Sequence, residues 1–221
     1  MYIISFDCGI INFAYSCIYF DNYNELKIHP INDFFKNNKY SIIDINNVNV
    51  LNIECESHVI KETKKTHARI KKNTKKNTNC INVHNHIITL LMDIIKKLNP
   101  DKNIKILIEY QMNINHKANI VYNIIITFFE TYYKIYNKKN YDIITIQPAY
   151  KNNIAQGIDI DNKIRIKYIN QYAYNKKIVE MYFLSLNAEH NFLNKQLFKK
   201  IDDISDSFIQ ILSYLLYYNI K

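Results

Sequence analysis

The sequence predicts an α/β protein whose helices flank one central mixed sheet of five strands, the first three antiparallel and the last two parallel. Two observations lead to this prediction. Short β-rich runs joined by turn-forming residues fill residues 1–31, and two later β-rich runs enclose a segment with helical periodicity. A strand, a helix and a second strand in that order pair in parallel through a crossover. With 221 residues the chain can build one substantial core, so we expect a single domain over residues 1–221.

Three β-rich runs open the chain, and we predict that they form an antiparallel meander. They are Tyr2–Cys8, Asn12–Phe20 and Glu25–Ile31. Gly9 marks the first turn, and Pro30 indicates a strand end near the edge of the sheet. The run "YSIIDINNVNVLNI", in the Asn-rich stretch 34–59, leaves room for an extra edge strand.

A basic segment, "KETKKTHARIKKNTKKNTN" (Lys61–Asn79), follows. It is nearly free of apolar residues and cannot bury much surface, so we expect a mobile surface segment. Two interpretations stay open: the charges serve only solvation, or Lys64, Lys65 and Arg69 contact a DNA backbone. The formal net charge of +9 favours a polyanionic partner, although the Ile, Asn and Lys bias typical of AT-rich coding sequence also raises the lysine count.

Helices and strands then alternate along the rest of the chain. An apolar residue every three or four positions indicates an amphipathic helix within Asn82–Pro100, which Asn99 and Pro100 end. The same reasoning predicts, in order, a strand over Asn103–Tyr110, a helix over Ala118–Tyr136, a strand over Tyr141–Pro148, and helices over Asp161–Leu186 and Asp202–Tyr218. In the last helix we expect the inward residues to be Ile204, Phe208, Ile211, Leu212 and Leu215.

Several protein classes are disfavoured by composition. No apolar stretch reaches the ~18 residues that a membrane helix needs, and the start lacks the pattern of a secretory signal. The cysteines at 8, 17, 55 and 80 are scattered without zinc-ligand spacing, so we expect reduced thiols in an intracellular protein. Cys8 is expected to be a small apolar strand residue rather than a nucleophile.

Carboxylates stand at the ends of apolar elements in three places: Asp7, Glu109, and the cluster of Asp202, Asp203 and Asp206. Each has a simpler explanation, since Asp7 could be a turn residue, Glu109 could pair with a lysine, and the first two of the cluster could cap a helix. Taken together, these carboxylates form a more specific pattern than any one of them does alone. If the first and fourth strands are neighbours, Asp7 and Glu109 lie together, and Asp203 and Asp206 share one helix face.

Converging carboxylates repel one another unless cations lie between them. Hard oxygen ligands at such density are what Mg²⁺ or Mn²⁺ prefers. Two such ions ~4 Å apart can activate a water and stabilise the leaving oxygen of a phosphodiester, as in nucleases and polymerases. The pattern therefore predicts a metal-dependent phosphodiesterase site.

Three motifs, "ISFDCGIINFAYS", "ILIEYQ" and "KKIDDISDSF", occur in the order and spacing of the RuvC-like Holliday junction resolvases and most closely resemble their poxvirus-type branch. The similarity spans Ile4 to about Leu215. The resemblance implies an RNase H-like fold and a homodimer that makes paired symmetric nicks in four-way DNA junctions with two Mg²⁺ or Mn²⁺ ions per site. It also implies a role on branched or concatemeric replicated DNA in the cytoplasm, with no membrane or small-molecule partner.

Carried over to this chain, the resemblance makes Asp7, Glu109, Asp203 and Asp206 the metal-binding catalytic acids. Asn12, Gln111 and Ser207 match motif positions and are expected to have support roles. Lysines near the motifs are candidate contacts to the DNA backbone: Lys117, Lys151, Lys199 and Lys200.

Three alternative functions fit parts of the sequence. A sugar-kinase or chaperone-type ATPase shares the RNase H-like core, but such proteins need several glycines near nucleotide phosphates, and this chain has only Gly9 and Gly157. A non-catalytic DNA-binding protein explains the charge but not the retained acids, which weaken phosphate binding without metal. An RNase H-like nuclease acting on RNA–DNA hybrids or flaps stays open, because the metal chemistry is the same.

Overall fold

The computed structural model describes residues 1–9, 12–28, 31–48, 50, 71–111, 115–156, 170–193 and 201–218, with only the backbone described for residues 32, 71–82, 155 and 156. Within these ranges five strands form one mixed sheet: β1 (Tyr2–Cys8), β2 (Phe13–Phe20), β3 (Tyr40–Val48), β4 (Ile104–Glu109) and β5 (Tyr141–Ile146). Their order is β3-β2-β1-β4-β5. The β1–β2 and β2–β3 pairs are antiparallel, and the β1–β4 and β4–β5 pairs are parallel. The predicted fold class is confirmed.

The third strand differs from the prediction. The described residues of the predicted strand Glu25–Ile31, which are 25–28 and 31, form no strand. Glu25 ends a short 3₁₀ turn, Tyr23–Glu25, and Ile31 begins a second one, Ile31–Asp33. The third strand is β3, which lies where the sequence suggested only an extra edge strand. Asn22 and Asn24 favour a turn directly after β2, and the connection instead buries Phe34, whose ring packs edge-on against a ring of β2.

Six helices complete the described elements: α1 (Phe34–Asn37), α2 (Lys71–Lys96), α3 (His116–Ile135), α4 (Pro148–Gln156), α5 (Gln171–His190) and α6 (Ile201–Tyr218). None of these described helices combines the length and apolar character needed to cross a membrane. The helix predicted within Asn82–Pro100 begins eleven residues earlier and absorbs part of the basic segment. Residues 71–79 of the basic segment are thus helical, because a helix once nucleated extends through Lys, Asn and Thr at little cost, and the mobility of the segment stays a prediction. Residues 61–70 lie outside the described ranges.

Two helix starts carry recognisable sequence signals. Pro148 is the first residue of α4, the position at which its missing N–H and fixed φ cost nothing. The Asn170 side chain caps α5 by accepting a hydrogen bond from the Ala173 N–H at 2.7 Å. The helix predicted over Asp161–Leu186 therefore begins at Gln171 in the described chain, with residues 161–169 outside the described ranges, and it continues to His190.

The sheet separates two cores, and the period of two along each strand decides which side chains face which core. Ile4 and Phe6 of β1 pack with α2 and α3 on one face. Ile3 packs with α5 and α6 on the other. Since alternate side chains share a face, Asp7 lies on the same side as Ile3, toward α6. The five inward residues predicted for α6 are all fully buried.

Candidate active site

Asp7 and Glu109 come together because β1 and β4 are parallel neighbours. The pairing register matches Ser5 with Leu107 and Phe6 with Ile108. The next residues along the two strands are Asp7 and Glu109. Their side chains point to the face of the sheet that α6 covers. The sequence-based prediction that these two acids meet is borne out by the geometry.

Helix α6 supplies two more carboxylates to the same point. Asp203 and Asp206 are one turn apart and buried, and both act electrostatically on Asp7. A hydrogen bond of 2.8 Å between the hydroxyls of Ser207 on α6 and Ser16 on β2 holds the helix against the sheet. Ser207, for which the motif implied a support role, therefore fixes the position of the acid-bearing turn.

Lys151, from α4, lies between the carboxylates. Its Nζ donates a hydrogen bond to Glu109 Oε2 at 3.0 Å and lies 3.4 Å from Asp206 Oδ2. The residue is only 4% exposed. Burial lowers the pKa of Lys151, but the charges of Asp206, Glu109 and Asp7 outweigh it and hold the pKa above its ordinary value. The ammonium therefore stays charged, within the acid cluster rather than on an open surface.

Lys176, from α5, neutralises the outer side of the cluster and was not among the residues singled out from sequence. Its Nζ lies 3.2 Å from Asp202 Oδ2 and 3.4 Å from Asp203 Oδ1. Burial lowers the pKa of Lys176, while Asp206, Asp203 and Asp202 together raise it above the ordinary value. The available signal was the basic side of this helix, but sequence alone does not say which lysine of "NKK" turns inward.

Burial and neighbouring charges both disfavour the ionised form of Asp7. Burial raises the pKa of Asp7 well above its ordinary value, the Glu109 charge raises it further, and Lys151 offsets only part of the rise. The neighbouring Cys8 is buried, and burial together with Asp7 and Glu109 raises the pKa of its thiol as well. A protonated buried thiol is a poor nucleophile, in line with the apolar role predicted for Cys8.

The carboxylates face a cavity of about 200 Å³ at the carboxyl ends of β1 and β4. Asp7, Glu109, Asp206, Lys151 and Lys176 contribute its charged groups, and Gln111, Pro148, Asn152, Tyr172 and Asn175 complete its lining. Gly9 forms the adjacent turn, where its N–H donates to the Asp7 carbonyl oxygen at 3.0 Å. A Cβ at this position would collide with the Asn12 carbonyl oxygen, which explains the glycine.

Of the basic residues predicted to contact DNA, only Lys117 and Lys151 lie in the described part of the chain. Lys117 is exposed in the first turn of α3. Lys64, Lys65, Arg69, Lys199 and Lys200 lie outside the described residues. A DNA contact by any predicted residue stays a prediction, and for Lys151 it would have to be made inside the cavity.

The donor chemistry of the cluster fits a hard divalent cation. All four acids offer oxygen ligands of the kind that Mg²⁺ and Mn²⁺ take, and the raised pKa of Asp7 reflects its burial first and the neighbouring Glu109 charge second. As the side chains stand, no three His, Cys, Asp or Glu residues in the described ranges are close enough together to form a metal site. The ammonium of Lys151 lies between Glu109 and Asp206 instead.

The sheet order and the covering helices define the RNase H-like fold of the RuvC-type resolvases. Within it, the chain is similar to the fowlpox virus Holliday junction resolvase, at 20% identity and a TM-score of 0.52 over 99% of both chains. Against the fowlpox resolvase in complex with its substrate Holliday junction DNA, the TM-score is 0.51 at 19% identity over 100% of both chains.

A structure from T. thermophilus shows a similar likeness of fold. T. thermophilus RuvC in complex with a Holliday junction substrate matches with a TM-score of 0.51 at 10% identity, over 100% of this chain and 96% of the other. Neither a protein-family model nor a curated protein sequence matches the chain. The similarity is thus one of fold, and the function has to be argued from the site.

Proposed function

We propose that this protein is a Holliday junction resolvase, a metal-dependent endonuclease that makes paired symmetric nicks in four-way DNA junctions. The observation that carries the proposal is that Asp7, Glu109 and Asp206, from three separate elements, line one cavity, with Asp203 one turn before Asp206 on α6 and acting electrostatically on Asp7. The fold shared with resolvases that bind junction DNA supports this choice of substrate. The protein would act inside the cell on branched or concatemeric replicated DNA.

The four acids would hold two Mg²⁺ or Mn²⁺ ions, which when bound would activate the attacking water and stabilise the leaving oxygen of the phosphodiester. The chain itself supplies the geometry. Asp7 and Glu109 are fixed by the paired β1 and β4, and Asp203 and Asp206 by the buried α6. Because none of these elements is a free loop, the acids keep their mutual positions when DNA arrives.

Lysines at the cavity would orient the scissile strand. Lys176 is partly exposed and lines the cavity. Lys117 lies at the start of α3, and Lys151 at the cavity floor could reach a phosphate that displaces its contact with Asp206. We assign backbone contacts to these three, and the same role to Lys64, Lys65, Arg69, Lys199 and Lys200.

Paired cuts require two active sites at a fixed spacing, so the proposed enzyme is a homodimer in which each subunit nicks one strand. Junction preference would then come from the shape of the DNA and from the distance between sites rather than from base contacts. Charge supports a DNA partner, since the net charge of +9 coexists with an acidic cavity that needs cations.

Cleavage of three labelled substrates tests the proposal. The purified protein is incubated with a four-way junction, an RNA–DNA hybrid duplex and a flap, in Mg²⁺, in Mn²⁺ and in EDTA. We expect symmetric nicks in the junction only when a divalent ion is present. Equal cleavage of hybrid or flap would replace the resolvase proposal with a broader RNase H-like nuclease, and binding without any cleavage would indicate a non-catalytic DNA-binding protein.

A matched pair of variants tests the site. Asp7→Asn should keep junction binding and abolish nicking, because the amide removes a metal-binding carboxylate. Asp142→Asn changes a strand carboxylate that pairs with Lys105, away from the cavity, and should leave nicking unchanged. Full activity of Asp7→Asn in a gel assay would overturn the assignment of the acids.

A further inference from the structure

Tyr172 is an exposed aromatic side chain at the rim of the acidic cavity. It lies in the first turn of α5 and lines the cavity, yet 71% of the residue is exposed. Among the described residues that line the cavity it is the one aromatic; apart from Pro148, the others carry charged or amide side chains. An aromatic ring therefore stands in solvent beside a cluster of carboxylates and ammonium groups.

Packing on a neighbouring ring explains other exposed tyrosines but not Tyr172. Tyr217, for example, is 40% exposed and stacks on Tyr150, with 4.9 Å between the ring centroids. Within the described chain Tyr172 has no ring contact. Tyr110 also has none, but it does not line the cavity. The ring of Tyr172 is therefore available to a planar group from outside the chain.

Helix α5 fixes the position of this ring. The cap by Asn170 anchors the start of the helix, through the 2.7 Å hydrogen bond from the Ala173 N–H. Lys176, one turn after Tyr172, shares its helix face and lies 3.2 Å from Asp202 on α6. Because Tyr172 is carried by an anchored helix rather than by a loop, its distance from the carboxylates is set before any ligand arrives.

The size of the cavity decides which part of a DNA strand can reach Tyr172. Its volume of about 200 Å³ is smaller than the roughly 300–1,000 Å³ of pockets that enclose a small-molecule ligand. A phosphate group fits in such a space, but the sugar and base attached to it must lie outside, at the rim. The ring of Tyr172 is therefore within reach of the base beside the phosphate that the acids would hold.

The chemistry of the ring favours an unstacked nucleobase. Every base has a π face on which a tyrosine can stack, whatever the sequence. Inside a continuous duplex each base already stacks on its neighbours, so a side chain reaches its face only after unstacking, which costs free energy. This cost is smallest where stacking is already interrupted, as at the point where strands cross in a branched DNA.

We propose that Tyr172 stacks on the nucleobase beside the scissile phosphate and thereby directs nicking to the unstacked nucleotides at the centre of a branched DNA. The choice of DNA as the ligand rests on the proposed function. Since stacking tolerates any base, this contact selects the shape of the DNA rather than its sequence.

Three substitutions separate the ring of Tyr172 from its hydroxyl and from its bulk. Tyr172→Phe keeps the ring, Tyr172→Leu keeps apolar bulk without a ring, and Tyr172→Ala removes both. Because the residue is largely exposed, all three variants should melt at the temperature of the unmodified protein. We expect nicking of a four-way junction to stay within about twofold in the Phe variant and to fall between about 5-fold and 150-fold in the Leu and Ala variants, the loss of one aromatic–base stack.

A fluorescent base measures stacking without relying on nicking. The base analogue 2-aminopurine, which is quenched when it stacks, replaces each branch-point nucleotide of the junction in turn. The complexes are formed in Ca²⁺, which takes carboxylate oxygens in a looser geometry than Mg²⁺. At one position, the unmodified protein and the Phe variant should give dimmer complexes than the Leu and Ala variants. Equal fluorescence of all four complexes at every position would overturn the inference, and so would a Phe variant that behaves like the Ala variant, since the hydroxyl would then be the active group.

The two measurements separate this inference from the proposed function. If the unmodified protein binds the junction and shows the difference in fluorescence but nicks nothing, only the proposed function fails. If it makes paired nicks, and all variants nick at the same rate with equal fluorescence, only this inference fails. A protein that binds no junction would overturn both.

Discussion

Replacing Lys151 by methionine tests the electrostatic arrangement of the cavity most directly. The methionine keeps the length of the side chain and removes the ammonium. At an effective dielectric constant of about 20, each contact, at 3.0 Å to Glu109 and 3.4 Å to Asp206, is worth about 5 kcal/mol before desolvation. Burying an ammonium costs several kcal/mol in return. The net loss from removing one partner of such a buried cluster is about 3–5 kcal/mol, which we expect as the decrease in the free energy of unfolding at pH 7.

Urea unfolding in EDTA, followed by circular dichroism, measures this decrease. Lys96→Met is the matched control, because Lys96 pairs with Asp93 on the exposed side of α2 and should change stability by no more than about 0.5 kcal/mol. A decrease below about 1 kcal/mol for Lys151→Met would refute the reasoning, since it would mean that the ammonium is not neutralising the acids.

The same variant also reports on cation binding. Without Lys151, Glu109 and Asp206 lose the ammonium between them, so added Mg²⁺ should stabilise the variant more than the unmodified protein. At a Mg²⁺ concentration a hundredfold above the dissociation constant, binding would add about 2.7 kcal/mol to the free energy of unfolding. An identical response of both proteins to Mg²⁺ would show that Lys151 and the ion do not share the same carboxylates.

Two further predictions concern Asp7, near the end of β1, and Gly9, in the turn that follows. Burial and the Glu109 charge raise the pKa of Asp7, so the folded protein holds a proton that the unfolded chain releases. In EDTA, the free energy of unfolding should therefore fall as the pH rises from about 3.8, the ordinary pKa, through the raised pKa of Asp7. Asp7→Asn removes this loss, so the variant should be the more stable protein at high pH and lose its advantage near pH 4, as thermal melts across the pH range would measure. Gly9→Ala places a Cβ against the Asn12 carbonyl oxygen and should cost about 1–3 kcal/mol, read as a lower melting temperature; an unchanged melting temperature would contradict the close approach.

The elements that carry the acids could be predicted because their signals are local. The alternation in β1 and β4, and the apolar stripe of α6, each need only a few consecutive residues. The strand–helix–strand order then made β1 and β4 candidate parallel neighbours, and the meeting of Asp7 with Glu109 followed from that single topological step.

The errors arose where distant parts of the chain decide the outcome. Glu25–Ile31 and Tyr40–Val48 have comparable strand propensity, and only the packing of Phe34 and Phe35 beside β2 leaves the second as the edge strand. The roles of Lys151 and Lys176 depend on how α4 and α5 lie across α6. No local pattern distinguishes these lysines from the many on the surface.

The lysines in the acid cluster neutralise only part of its negative charge. Carboxylates from β1, β4 and α6 face the ammonium groups of Lys151 and Lys176 in the described part of the chain, so negative charge exceeds positive there although the chain as a whole is basic. The lysines offset part of the repulsion among these carboxylates, while burial and then the Glu109 charge still raise the pKa of Asp7. The cluster therefore keeps a deficit of positive charge, which a divalent ion would fill if the proposed function is correct.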